Sequence, residues 1–322
     1  MITAILLLAQ PAPPACVEER KAISEAAAAI ETDYVLADVA ERAADAIRTS
    51  LAAGQFDRHC KDPKAFADDA TKKLRAILQD GHVFLDHAPE SRKAGEYDWI
   101  EAWRNGAAAN GFGVRQVERL KDKIAYLHLT GFYELEPAKA ALAAAFELVK
   151  DSEGLILDLR NNPGGSDETE WPVQWTFMEK GSALPLHREN REGKLSDSSE
   201  PELPWVRYGS SRPLAILVDK STFSAPEAVA YSLQAQGRAK IFGAPSGGGA
   251  HMLGEAVRLT GGWQVVIPEV RPYSPYTGGN WEGTGVIPDV RATRENARTE
   301  AAAWIREQVK EKGAVSEPET TP

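Results

Sequence analysis

Ser224 has the setting in this 322-residue chain that best suits nucleophilic chemistry. It stands between a continuous apolar run, Leu214-Ala215-Ile216-Leu217-Val218, and a segment from Ala225 to Gln236 that carries apolar residues at Ala228, Val229, Tyr231 and Leu233 without an interior glycine. The run suits a strand covered on both faces, and the segment suits an amphipathic helix of about three turns. A hydroxyl at such a junction can attack a carbonyl while the helix dipole and the Ala225 N–H face the developing oxyanion. The same residues also read as a helix cap: Pro226 fits the first turn, and Glu227 lies three residues past Ser224 as in a capping box. One hydroxyl does not easily hold both roles, and these residues alone leave the choice open.

A second anchor is LILDLRNNPGGS, where a buried strand ending in Asp158 and Arg160 runs into Asn161-Asn162-Pro163-Gly164-Gly165. Open α/β sheets place ligands at this edge, and an N–H of Gly164 or Gly165 could form half of an oxyanion hole with that of Ala225 as the other half. A plain tight turn fits the same residues. A third anchor is NWEGTGVIPDV, in which Glu282 between Trp281 and Gly283 reads either as a partly desolvated carboxylate able to orient an imidazole or as an exposed turn residue; Asp289 reads as closing a turn.

A serine nucleophile needs a base, and six histidines are available. His128 lies in an alternating strand, His187 in an expected loop, and His59 and His87 in polar stretches, settings that favour structural or solvated roles. His82, in DGHV, follows a glycine where helical and sheet segments meet, and His251 follows SGGGA near the end of the sheet region.

The elements that must position these groups follow from periodicity. Residues 17 to 78 read as three or so helices, with apolar sets such as Ala26, Ala29, Ile30 and Val39, Ala43, Ala46, Ile47, forming a helical N-terminal domain over 16–80. Extended segments are expected at GHVFLDHA, GFGVRQVERL, KIAYLHLTGF, GLILDLR, LAILVDK and AKIFGA, with a helix entered at Pro137. The resulting β, α, β order predicts an α/β domain over 81–312 with right-handed crossovers. Residues 166 to 210, with four prolines among scattered charges, read as a long loop or lid; 255 to 270 reads as a hairpin turned at Gly261-Gly262, and 313–322 as a disordered tail.

Composition narrows the partners. With 37 Lys+Arg against 47 Asp+Glu the net charge is -10, and no basic stripe is available to displace counterions from a nucleic acid. ITAILLL at residues 2 to 8, followed by AQPAPPA, reads as a possible signal segment over 1–15, although it lacks a positive start; it is too short to span a bilayer. This points to a periplasmic or secreted protein without excluding the cytoplasm. Pro-Pro-Ala-Cys at 13–16 has a weak likeness to a bacterial lipid-attachment site. Cys16 and Cys60 are the two cysteines; they read equally as one disulfide and as two thiols, and neither belongs to a metal-ligand spacing.

Three segments together, LILDLRNNPGG, LVDKSTFSAPEAVAYSLQ with IFGAPSGGGAH, and WEGTGVIPDV, resemble the serine peptidases that include the C-terminal processing (tail-specific) proteases, the tricorn protease core and the repeats of interphotoreceptor retinoid-binding protein. The resemblance covers roughly residues 80 to 295. It implies a β/α spiral (ClpP/crotonase-like) catalytic core after a small helical domain, with Ser224 as nucleophile and no metal or organic cofactor. Tail-specific members carry a lysine on the segment after the nucleophile's helix; here Gly249 stands at that place, and no lysine occurs between Lys240 and Lys310. They also carry a PDZ domain, for which the stretch between His82 and Ile124 is too short. The resemblance is therefore closer to the tricorn-core and retinoid-binding branch, which implies His82 as general base and Glu282 as the acid that orients it. His251 is the alternative base, and Gly248 and Gly249 would shape the substrate groove. The expected activity is endopeptidase cleavage of extended or partly unfolded peptides, with a kcat/KM limb near an ordinary imidazole pKa, roughly 6 to 7. A non-catalytic protein binding apolar, retinoid-like ligands and an esterase using the same serine are the competing readings. Oligomeric state is not legible.

Overall fold

A computed structural model describes residues 16–88 and 98–316. In chain order the helices are α1 (Val17–Asp33), α2 (Ala37–Ala52), α3 (Pro63–Leu78), α4 (Asp98–Gly106), α5 (Leu135–Val149), α6 (Asp167–Trp175), α7 (Ala225–Ala235) and α8 (Ala297–Ser316). The strands are β1 (Phe84–His87), β2 (Val114–Arg119), β3 (Ile124–Leu129), β4 (Gly154–Asp158), β5 (His187–Asn190), β6 (Leu195–Ser196), β7 (Leu214–Val218), β8 (Lys240–Gly243), β9 (Met252–Arg258), β10 (Trp263–Tyr273) and β11 (Val290–Arg291). The signal-like segment and the last six residues lie outside the described residues.

The chain divides into two compact units. The first comprises residues 1–101, 189–194 and 251–271; the second comprises 102–188, 195–250 and 272–322. The helical segment expected over 16–80 is thus part of a larger unit. Within it, the apolar faces of α1, α2 and α3 meet the inner face of the β9–β10 hairpin, so that Ile23, Ile30, Ile47, Phe66 and Leu74 share one core with Trp263, Val265 and Ile267. Strand β1 pairs antiparallel with β10, Leu85 opposite Val265. The Cys16–Cys60 disulfide ties the start of α1 to the chain ahead of α3 and occupies the thiol that a lipid attachment would use.

The second unit is built on a sheet in the order β11-β8-β7-β4-β3-β2. Strands β3, β4, β7, β8 and β11 run parallel, and β2 closes one edge antiparallel to β3. The central strands β4 and β7 are buried at every position, which is why both read as unbroken apolar runs. One face is covered by α5, α6 and α7, the other by α8, whose Ala297, Ala301 and Ile305 pack against Ile156, Ala215 and Leu217.

The structure departs from the expected elements in two places. The stretch 166–210 is not wholly a loop: it opens with α6, because Ser166 caps the Glu168 N–H at 3.2 Å and the charges of Asp167 and Glu168 favour the positive end of a helix. Helix α8 runs to Ser316, into the part of the tail expected to be disordered from residue 313.

Candidate active site

Strands β4 and β7 are neighbours with Leu157 opposite Ile216, so the turns leaving their C-terminal ends lie side by side. The two turns are stitched together: Leu159 N–H donates to the Leu217 carbonyl (2.9 Å), Thr222 Oγ1–H to the Leu159 carbonyl (2.9 Å) and Phe223 N–H to the Asn162 carbonyl (3.0 Å). Asp219 folds the second turn on itself by accepting the Ser221 N–H at 3.0 Å.

At the end of that turn Ser224 adopts φ 68° and ψ -123°, a conformation that suits glycine and strains a residue with a side chain. Such strain costs about 1–3 kcal/mol and persists only where surrounding bonds impose it. Helix α7 starts at the next residue, and Pro226 sits in its first turn, where no N–H is required. A serine on a strained strand-to-helix turn is the device that presents a nucleophilic hydroxyl in α/β hydrolases.

The Gly164 backbone reaches this side chain. At φ 114°, a conformation that strains any residue with a side chain, a Cβ here would make tight contacts, 3.0 Å from the Ser224 Cβ and 3.1 Å from the Phe223 carbonyl oxygen. Of the two glycine amides expected to serve an oxyanion, that of Gly164 is already given to Asn162 Oδ1 at 3.0 Å, and Asn162 is itself held by the Leu129 carbonyl at 3.1 Å. Gly164 is buried and Gly165 is exposed, so the accessible amide on this loop belongs to Gly165.

Glu227 is fully buried and gathers the rest of the neighbourhood. Its Oε2 accepts the N–H groups of Ser224 (2.7 Å) and Gly249 (2.9 Å), and its Oε1 accepts the Gly248 N–H (2.7 Å) and the Ser246 hydroxyl. Burial pushes the Glu227 pKa up, against these bonds, which favour the charged form. Gly248 and Gly249 thus spend their amides inside the protein. Their carbonyls are spent too, on Gly283 N–H (2.9 Å) and the Trp281 indole N–H (2.9 Å). Glu282, half-buried, accepts the N–H of Ala250 at 2.6 Å. Asp289, expected to close a turn, instead accepts the N–H of Ile241 in β8 at 2.7 Å, a long-range tie.

The two candidate bases belong to the first unit, where both meet Asp80, a residue absent from the sequence-based candidates. Its Oδ1 accepts the His82 N–H at 2.8 Å and stands 4.0 Å from the His82 Nδ1. Its Oδ2 lies 2.7 Å from the His251 Nδ1 and accepts the Tyr34 hydroxyl at 2.9 Å. Burial alone would raise the Asp80 pKa; the His251 contact and the other bonds outweigh it and hold the carboxyl below its ordinary value. His82 is pushed down to about 4, mainly by burial. The Asp-Gly-His spelling of residues 80–82 was the available signal for Asp80, since an aspartate commonly folds a turn by accepting the N–H two residues on. Of the histidines expected to be bystanders, His128 faces the Arg160 carbonyl at 3.0 Å, and His187, expected in a loop, lies in β5 and pairs with Asp197.

Against known proteins, residues 123–292 match the model of peptidase family S41. That match takes in more than half of the chain, including the β4 and β7 turns and Glu282, and the chain belongs to this family. It is 30% identical over 185 residues to the carboxy-terminal-processing protease of Bartonella bacilliformis, covering 53% of this chain and 39% of that protein. It is 28% identical over 169 residues to the chloroplastic carboxyl-terminal-processing peptidase 2 of Arabidopsis thaliana, covering 52% of this chain and 31% of that one. The chain therefore spans between about a third and two fifths of the length of these relatives. Among solved structures, the photosystem II D1 C-terminal processing protease aligns over 90% of this chain and 97% of its own, with a TM-score of 0.53 and 19% identity. The tricorn protease aligns over 91% of this chain and 37% of its own, with a TM-score of 0.56 and 14% identity. These structural likenesses speak to the fold. Among the described residues, no helix is long and apolar enough to cross a membrane.

Proposed function

We propose that this chain is a serine endopeptidase that cleaves peptide bonds in extended or partly unfolded chains through an acyl-enzyme on Ser224. The observation that carries the reading is the strained backbone of Ser224 at the strand-to-helix turn, with the Gly164 backbone against its side chain. Ser224 Oγ attacks the scissile carbonyl and passes its proton to His82, which then gives it to the leaving amine; water repeats the cycle to release the acyl group. The Ala225 and Gly165 N–H groups hold the tetrahedral oxyanion. Glu282 orients the base. Asp80 is added to this set because its carboxylate fixes the His82 backbone and steadies the imidazolium as it forms.

A second assignment of the base has its own support. His251 makes the short imidazole–carboxylate contact with Asp80, the arrangement that orients a base in a triad. His82→Ala and His251→Ala separate the two: the true base loses turnover by at least about a hundredfold, as loss of general-base catalysis implies, and the other variant retains it.

The relatives named for carboxyl-terminal processing support peptide substrates, and the disulfide supports an oxidising compartment, periplasmic or extracellular. Digestion of an unfolded protein and a peptide library by the wild type and by Ser224→Ala tests the reading. New internal cleavage sites with the wild type alone are expected. Ester hydrolysis without peptide cleavage, or tight binding of an apolar ligand without either activity, would replace it with an esterase or a carrier.

A further inference from the structure

We infer that Glu227 is a positioning residue for Ser224: its carboxylate is the common acceptor that ties the nucleophile's backbone to the loop 246–249, and through that loop to the segment bearing Glu282. The inference deepens the proposed function and rests on it.

A cap needs only one of this carboxylate's bonds. A glutamate three residues into a helix ordinarily reaches back to the N-cap amide and leaves its other lone pairs to water. Here that bond is made, Ser224 N–H to Oε2 at 2.7 Å, but the side chain is fully buried and three further donors converge on it from Ser246, Gly248 and Gly249. Among the described residues, none of the donors that meet it is a cation. A buried carboxylate held only by neutral donors is a costly arrangement to maintain, and it pins every donor that faces it.

Each of those donors leads onward. Ser246 gives its hydroxyl proton to Glu227 and accepts the Val286 N–H at 2.6 Å. The Gly248 carbonyl accepts the Gly283 N–H at 2.9 Å, the Gly249 carbonyl accepts the Trp281 indole N–H at 2.9 Å, and the next amide, of Ala250, goes to Glu282 at 2.6 Å. Gly248 has φ 84°, and a Cβ on it would lie 3.1 Å from the Gly283 backbone, so the loop and the 281–286 segment are in direct contact. Glu227 therefore sits where the strained Ser224 backbone and the Glu282 segment are referred to one fixed point. The Ser224 N–H bond opposes relaxation of that residue out of its unfavourable φ and ψ.

Glu227→Gln tests this with little change of shape. Whichever way its amide is turned, at least one backbone N–H faces an NH2 group: that of Gly248 on one side, those of Ser224 and Gly249 on the other. The readout is the second-order rate of Ser224 acylation by a fluorophosphonate, measured on the folded monodisperse fraction, with kcat and KM for a peptide that the wild type cleaves. Loss of a hydrogen bond to a charged group predicts labelling and kcat lowered by about 10- to 100-fold, with KM within about threefold. Glu227→Asp, which keeps the charge but is shorter by one methylene, is expected to lie between the two and serves if the glutamine variant does not fold. Folded variants that label at the wild-type rate and keep kcat, with only the melting temperature lowered, would reduce Glu227 to a structural cap and overturn the inference. Wild-type protein that carries no label on Ser224 would overturn the underlying reading instead, and the inference with it.

Discussion

Gly164 and Ser224 are packed so closely that a single methyl group on the glycine would stand 3.0 Å from the serine Cβ and 3.5 Å from its Oγ. The contact joins the loop after β4 to the turn after β7 at the side chain expected to attack.

Gly164→Ala should therefore damage catalysis more than folding. The new methyl must push Ser224 or the loop aside slightly, and the rate of a reaction is steeply sensitive to the placement of the attacking group. Gly181→Ala is the control: Gly181 has φ 76°, also unfavourable for alanine, but has nothing within 4 Å of its Cβ position. Both variants should melt at a lower temperature, with kcat/KM falling by about tenfold for Gly164→Ala alone. Equal kcat/KM in the two variants would show that the Gly164 contact has no bearing on turnover.

The pH profile should differ from that of an ordinary imidazole. Burial pushes His82 down to about 4, so a base at this position is already neutral at pH 5 and loses its proton-accepting form only as pH falls through about 4. If His82 is the base, kcat/KM of the folded enzyme should stay level on acidification from 7 to 5 and fall below that. A half-maximal point near 6.5 that persists in His82→Ala would move the role to another group.

Glu170 predicts a pH dependence of stability. It is buried in α6, its Oε1 and the side-chain amide of Gln174 one turn on have no hydrogen-bond partner among the described residues, and burial raises its pKa to about 8. Between the ordinary value of 4.5 and about 8 the folded state holds a proton that the unfolded state releases, so this group's contribution to stability falls as pH rises through that window. Each pH unit crossed costs at most about 1.4 kcal/mol. Glu170→Gln should match the wild type below pH 4.5 and grow increasingly more stable than it up to pH 8, as read from urea midpoints. Parallel curves for the two proteins would contradict the burial of an unpartnered acid.

How much of this was legible in the sequence varies from residue to residue. The β7–Ser224–α7 junction was readable because an unbroken apolar run and a helical period meet at one serine, and strand and helix both form as expected. The positive φ of Ser224 was not, since nothing about a serine announces it; it is held by a local bond from its own N–H to Glu227 and a long-range one from the preceding Phe223 N–H to the Asn162 carbonyl. Glu227 was visible as a capping glutamate, but its other donors lie on residues 246–249, and a contact of that range leaves no local pattern. Asp80 was spelled in the Asp-Gly-His turn, but its second contact, to His251, is 171 residues away and leaves no local pattern. Helix α6 was hidden by Pro172 and by acidic residues that read as loop polarity, although in a first turn the same charges favour the helix.

The central claim is that Ser224 is the nucleophile, and the most direct measurement of it is intact-mass and peptide mapping after treatment with a fluorophosphonate. The account predicts one adduct per chain, located on Ser224, abolished in Ser224→Ala and accompanied by loss of peptide cleavage. An adduct that persists in Ser224→Ala, or peptide cleavage by that variant at the wild-type rate, would contradict it.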